Sequence, residues 1–270
     1  MAGGVAGGAG HSVLVAEKMG KAARKVRITG KGRCNLTNIK PREDFLAKVR
    51  ANADFFAPAF DGFDNQAVVD FFRSEGVAIT VERGGRVFPK SGKAWDSADA
   101  VVDWATEGGA ERSYHTRVTD IEVVNGKVSG VNMFTRRGFQ RKIECRKVIL
   151  CTGGASYPAT GSTGEGYHMA HDLGHRIEDV RPSLVPLESD SDMVRELEGV
   201  ALKNVAVKLL ADTEIIAEEF GEMSFTKRGL EGAVILRISR IAVDAIIAEK
   251  DVKIQIDLKS ALDTDTIRAR

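Results

Sequence analysis

Two glycine-punctuated stretches hold most of the side chains able to grip a ligand. The first is Arg24-Lys-Val-Arg-Ile-Thr-Gly-Lys-Gly-Arg-Cys-Asn-Leu-Thr-Asn38, which sets Gly30 and Gly32 beside Arg33, Cys34, Asn35, Thr37 and Asn38. Glycine lets a backbone approach a bound group closely, and the neighbouring side chains supply directed donors and acceptors. Composition by itself makes this an anion-binding or turn-rich loop. The second is Ile149-Leu-Cys-Thr-Gly-Gly-Ala-Ser-Tyr-Pro-Ala-Thr-Gly-Ser-Thr-Gly-Glu-Gly-Tyr167. A buried strand that breaks at Thr152-Gly153-Gly154 brings backbone amides to a dinucleotide, although a glycine-rich connection is the plainer reading. A third signal is Val13-Leu-Val-Ala-Glu17. In a dinucleotide-binding βαβ unit the second strand ends in an acid that accepts hydrogen bonds from a ribose diol. An exposed strand-end acid is the plain alternative. The glycine fingerprint belongs about 20 residues earlier, a count that runs past Met1. No three of Gly3, Gly4, Gly7, Gly8 and Gly10 satisfy G-x-G-x-x-G.

Other chemistry-bearing residues have plainer readings beside them. Lys31 and Arg33 flank Cys34 closely enough to favour its thiolate, yet no second cysteine lies near in sequence, so packing is the expected role. His168 and His171 have the i,i+3 spacing of half a metal site; with His175 they lack acids or cysteines to complete one, and no metal is expected. Tyr157 carries a hydroxyl suited to proton donation, with hydrogen bonding inside its loop as the competing role. The cationic run Lys21–Arg33 attracts phosphate or forms a solvated face.

The elements that must position these residues are legible in outline. The stretch from Gly3 to Gly10 is a poor helix by propensity and needs close packing to exist, with Gly10 suited to its C-terminus. Residues His11–Glu17 and Val26–Ile28 read as short strands. Helices are expected over Arg42–Asn52, Asn65–Glu75 and Ala98–Glu107, the second with Val68, Val69 and Phe72 on one face. Arg86–Pro89 reads as a strand end. Asn125-Gly126 joins the alternating runs Val118–Val124 and Lys127–Phe134 as a hairpin. Lys147–Cys151 is continuously apolar, as for a central parallel strand. Beyond Pro182 come strands at Val205–Leu210 and Thr213–Glu218 and a helix at Leu230–Glu249. A domain boundary is expected near Arg181–Leu187, giving domains 1–182 and 183–270.

Bulk properties narrow the class. The 270 residues carry 39 Lys+Arg against 38 Asp+Glu, a net charge of +1. A nucleic-acid binder would show a basic excess. No apolar run is long enough to cross a bilayer, and the N-terminus lacks the features of a secretory signal. Cys34, Cys145 and Cys151 form no CxxC pair, as expected for reduced thiols in a cytoplasm.

Taken in order along the chain, these residues resemble the bacterial flavoproteins typified by the HI0933-like and BaiN-like proteins. The resemblance rests on Glu17-Lys18, on the loop Arg24–Asn38 and on the stretch Val148–Gly166, in which Gly32-Arg-Cys-Asn-Leu-Thr-Asn38 and Thr152-Gly-Gly-Ala-Ser-Tyr-Pro-Ala-Thr-Gly-Ser-Thr-Gly164 are the specific parts. It is joined by Gly85-Arg-Val-Phe-Pro89, Pro182-Ser-Leu-Val-Pro-Leu187 and Phe225-Thr-Lys-Arg-Gly-Leu-Glu-Gly232. It implies an α/β fold: a doubly wound Rossmann-like FAD-binding domain with a second, mostly β domain running into a helical insert. It implies an FAD-dependent oxidoreductase with NAD(P)H as electron donor and a small-molecule substrate, and neither a nucleic-acid nor a membrane partner. A non-catalytic flavin- or nucleotide-binding module, or an inactive truncated gene product, is the alternative. Glu17 would meet the adenosine ribose, and Val118 the adenine through its backbone. Gly30, Gly32, Arg33, Cys34 and Asn35 would lie along the flavin, with Thr152, Gly153 and Gly154 beside the cofactor and Lys18 and Lys25 also among its contacts. Family members begin with a strand and a phosphate loop and end with a return to the FAD domain. Neither stretch is found here, so an incomplete fold is expected.

Overall fold

The computed structural model describes residues 1–49 and 51–260. They divide into two compact units, Met1–Ile177 and Glu178–Arg270.

The first unit opens with helix α1 (Ala2–Gly8) and strand β1 (Val13–Glu17). The glycines of α1 are explained by what they touch. A Cβ on Gly7 would lie 2.2 Å from the Gly108 carbonyl oxygen, and one on Gly4 would lie 2.3 Å from the Trp104 ring. Close packing therefore offsets the poor propensity of this helix. Gly10 at φ +82° closes it, with Gly10 N donating to Gly7 O and His11 N to Ala6 O.

Next come α2 (Arg24–Ile28), β2 (Thr37–Asn38), α3 (Arg42–Leu46), α4 (Ala53–Gly62), α5 (Asn65–Ser74), β3 (Ile79–Glu82), β4 (Arg86–Pro89) and α6 (Ala94–Glu107). The expected strand at Val26–Ile28 is instead part of α2. Among the described residues no strand lies beside it to accept a ladder, and its Arg27 is buried with Nη2 2.7 Å from Asp99 Oδ1 on α6. The expected helix Arg42–Asn52 is realised only as α3; Arg50 lies outside the described residues. Helix α4 was not anticipated. Helix α5 is capped by Asp64, whose Oδ1 accepts from Ala67 N at 2.7 Å. Its Val69 and Phe72 are buried as the periodicity required.

The unit continues with β5 (Ala110–Tyr114), β6 (Arg117–Val124), β7 (Lys127–Phe134), β8 (Gln140–Glu144) and α7 (Glu165–Asp172). Strands β1 and β5 pair in parallel, Val13 opposite Ala110 and Glu17 opposite Tyr114. Helices α1 and α6 pack against this Rossmann-like pair. Strands β2-β4-β3 and β6-β7-β8 make two antiparallel sheets. The β6–β7 turn is the expected one, with Asn125 at φ 52° and Gly126 at φ 73°. The expected strand at Lys147–Cys151 is not formed. Among the described residues none pairs with it, and Ile149 stays 64% exposed, so apolar character alone does not create a strand.

The second unit holds β9 (Leu187–Glu188), α8 (Asp192–Glu196), β10 (Ala201–Ala211), β11 (Glu214–Thr226), β12 (Gly229–Glu231), α9 (Ala233–Ile247) and β13 (Val252–Asp257). Its sheet is antiparallel throughout, in the order β13-β10-β11-β12-β9. Alternate residues Val205, Val207 and Leu209 of β10 meet Val234, Ile235 and Ile238 of α9 in one core. Helix α9 begins three residues beyond the expected Leu230 because Leu230 and Glu231 are drawn into β12 opposite β11. The helical insert expected toward Arg270 falls outside the described residues. The fold class is thus α/β, a parallel-sheet unit and a separate antiparallel one.

Candidate functional site

The chemistry-bearing residues of the first unit gather into three connected places. At the end of β1, Glu17 Oε1 accepts from Met19 N at 2.8 Å. Its Oε2 has no protein donor among the described residues, which leaves one carboxylate oxygen for a ligand hydroxyl. The backbone there is tied to the start of β6, since Thr116 N donates to Glu17 O at 3.0 Å. Val118 follows directly, at a register shift between Val118 and Asp120 on the β6–β7 ladder. Lys18 Nζ donates to Thr163 Oγ1 and to Glu165 Oε2, each at 2.7 Å.

The second place is a cleft of about 320 Å³ lined by Lys25, Ile28, Thr29, Gly30, Lys31, Ser156 and Tyr157. The two loops that the sequence singled out therefore face each other across it. Lys25 Nζ reaches Ser156 Oγ at 3.3 Å, and neither Lys25 nor Lys31 has a carboxylate partner among the described residues. Gly30 (φ 58°) and Lys31 (φ 57°) are both left-handed, which turns this loop sharply at the cleft wall. Tyr157 is also left-handed, at φ 55°, with its ring exposed. Its carbonyl accepts from Thr160 N and Thr160 Oγ1, while its hydroxyl has no protein partner among the described residues.

The third place is where Thr152-Gly153-Gly154 meets α7. Gly154 O accepts from Gly164 N at 3.2 Å. A Cβ on Gly166 would lie 2.1 Å from Thr152 Oγ1, so the first turn of α7 rests directly on the end of the apolar segment.

Several motif residues turn out to build the loop rather than face outward. Asn35 lies against Val87 O and Thr37 O, and its amide NH₂ satisfies both at 3.2 and 3.0 Å. Asn38 Nδ2 donates to Gly84 O at 2.8 Å. Arg33 pairs with Glu82 and stacks 4.4 Å from the Phe88 ring centroid. Gly32 takes φ +85°, allowing the turn into Arg33.

Cys34 is 3% exposed, and burial pushes its thiol above the ordinary value of 9.0, opposed by the Ser97 hydroxyl. That hydroxyl otherwise finds no hydrogen-bond partner. Because the folded state favours the neutral thiol, Cys34 supports folding fully below about pH 9 and loses that contribution as pH rises through its folded value. Iodoacetamide at mildly alkaline pH should therefore modify exposed Cys151 first and Cys34 last. Peptide mapping that finds both labelled at one rate would contradict the burial. Histidines 168, 171 and 175 are exposed, and no group of three metal-ligating side chains forms among the described residues. Among those residues no helix is long and apolar enough to cross a membrane.

Two features escaped the sequence reading. Glu165 joins Lys18 to Arg117, whose Nη2 lies 2.9 Å from Glu165 Oε1. Arg27 is buried under Trp95, with the guanidinium 4.5 Å from the ring centroid and Lys21 Nζ at 4.1 Å from it. No local spacing could reveal the first, since Lys18 and Glu165 are 147 residues apart.

Comparison with known proteins adds a separate line. A family model described as the HI0933-like protein Rossmann domain matches residues 1–223, and one described as the HI0933-like protein barrel and H2TH domain matches residues 181–270. The 3-dehydro-bile acid delta(4,6)-reductase of Clostridium scindens is 29% identical over 256 residues, covering 95% of this chain and 60% of that protein. The ribosomal RNA dihydrouridine synthase of Escherichia coli K12 is 28% identical over 236 residues, covering 87% and 56%. The chain thus spans 60% or less of the length of these two relatives. The quinol fumarate reductase subunit FrdA of E. coli superposes with a TM-score of 0.52 at 16% identity, covering 75% of this chain and 41% of that one, a likeness of fold alone.

Proposed function

We propose that this chain, which belongs to the HI0933-like family, holds FAD across its first unit and serves an NAD(P)H-linked reduction of a small organic substrate. The observation that carries the reading is a cleft lined by two glycine-rich loops remote in sequence, Lys25–Lys31 and Ser156–Tyr157. The residues present fit the cofactor: Glu17 keeps a free carboxylate oxygen for a ribose diol. Lys25 and Lys31 offer uncompensated positive charge, and Gly30 leaves room for close approach. Lys18 and the Val118 backbone flank the adenosine end. Thr152, Gly153 and Gly154 present backbone to the cofactor, while Gly32, Arg33, Cys34 and Asn35 shape the loop along the flavin. FAD, when bound, supplies the hydride chemistry, and the protein's part is to place and shield it.

The substrate class follows from the names of the relatives. A 3-dehydro delta(4,6) steroid and a uridine each contain a carbon–carbon double bond conjugated to a carbonyl, and reduction saturates it. A small substrate suits the net charge of +1, which lacks the excess that phosphate neutralisation requires. On this reading Tyr157, which lines the cleft and whose hydroxyl has no protein partner among the described residues, donates the proton. A second reading, a uridine within RNA, follows from the name of the Escherichia coli relative; Trp95 does not add to it, because Lys21 and Arg27 already lie 4.1 and 4.5 Å from its ring centroid.

Chain incubated with FAD and desalted should keep the visible flavin spectrum, and NADH or NADPH added without oxygen should bleach it. Colourless protein overturns the flavin reading. Retained colour that neither nicotinamide bleaches overturns the NAD(P)H link. Turnover of a 3-oxo-4-ene steroid or of an rRNA transcript then separates the two substrates.

A further inference from the structure

We propose that Glu165 is a positioning residue that selects for the adenosine half of the cofactor by clamping together the two strand ends that flank it. The inference rests on the FAD reading above and adds a residue to it. Glu165 is the first residue of α7, and its two carboxylate oxygens are used separately. Oε2 takes Lys18 Nζ at 2.7 Å, immediately after the strand-end Glu17, and Oε1 takes Arg117 Nη2 at 2.9 Å, immediately before Val118. One carboxylate therefore bridges β1 and β6, the elements that carry the residues assigned to ribose and adenine. The bridge is sheltered at its centre, with side-chain exposures of 24% for Glu165 and 21% for Lys18. Thr163 Oγ1 accepts a further hydrogen bond from the same ammonium.

Charge accounts for why one acid serves. Lys18 and Arg117 share the Glu165 carboxylate, and the neighbouring Glu17 carboxylate brings this end close to neutrality. Without the carboxylate, Lys18 and Arg117 would repel each other, and the strand ends would be held by backbone hydrogen bonds such as Thr116 N to Glu17 O alone. Among the described residues Glu165 makes no ion pair or hydrogen bond with Lys25, Lys31 or Tyr157, which line the cleft where an isoalloxazine ring would sit. The clamp thus discriminates between two flavins: FAD, which has an adenosine half, and FMN, which does not.

The test compares FAD and FMN affinities of the full chain and of Glu165→Gln, by quenching of flavin fluorescence, with the melting temperature of the flavin-free protein as fold control. The expected result is a loss in FAD affinity of about tenfold, as for a charge-assisted contact partly open to solvent, with FMN affinity within about twofold. Glu165→Asp, too short to span both cations, should fall between. Equal losses for FAD and FMN, or a fallen melting temperature that accounts for the FAD loss, would show a merely structural residue and overturn the proposal. No change in either affinity overturns it too. A parent chain that takes up neither flavin would instead defeat the FAD reading, and the proposal with it.

Discussion

Gly166→Ala is expected to lower the stability of the first unit by about 1–3 kcal/mol and, on the proposed FAD reading, to weaken flavin retention. By helix propensity alone the change should help, since alanine is better than glycine by at most about 1 kcal/mol inside a helix. The geometry decides the sign. The new methyl would lie 2.1 Å from Thr152 Oγ1, with Leu150 Cδ2 only 3.5 Å away to block a sideways shift. Rotation of the Thr152 hydroxyl relieves only part of this, since its Cβ stays 3.3 Å from the new methyl; the rest requires α7 to lift or Thr152-Gly153-Gly154 to move, displacing the backbone assigned to the cofactor. Thr152→Ala removes the oxygen that the methyl meets. The double variant Gly166→Ala/Thr152→Ala should therefore recover most of the loss, a coupling between neighbours that additivity would not produce. Urea unfolding and retained flavin measured on all four proteins check this. A fully additive pair would mean that the close approach is not what glycine is there for.

In the second unit, Leu209→Ala should cost about 3–5 kcal/mol. Leu209 is 0% exposed at the centre of the sheet–helix core, where Val207, Ile235 and Val234 are also fully buried and leave little freedom to close a cavity. Ile215→Ala, on the neighbouring strand but 50% exposed, should change stability by less than about 0.5 kcal/mol. The pair is read from urea midpoints at unchanged slope. Equal effects at the two positions would contradict the assignment of the core.

Local patterns survived where the interactions that set them are themselves local. The Asn125-Gly126 turn and the Gly10 terminus of α1 are each decided within a few residues, by backbone sterics and one or two hydrogen bonds. The helical spacing of α5 also carried through, because one face of it is buried. Patterns that needed a distant partner did not. The β-branched Val26 and Ile28 resemble a strand, yet α2 packs on α6 with Arg27 drawn to Asp99. The apolar run Lys147–Cys151 has no adjacent strand among the described residues, so its pattern leads to no ladder.

The same division runs through the candidate site. The sequence by itself determined which residue types were available: the strand-end acid, the glycines of Gly30–Gly32 and Thr152–Gly154, and the lysines between. It also carried the family, because long ordered motifs are far more specific than any single residue. Only the tertiary structure decided how those residues are used. Asn35, Asn38 and Arg33, which look like ligand donors, are taken up by Val87, Gly84 and Glu82 in holding the loop. Glu165, unremarked in sequence, holds Lys18 and Arg117 at once. The reason is that a hydrogen bond or ion pair acts over about 3 Å of space, whatever the distance along the chain, and folding alone determines which groups come that close.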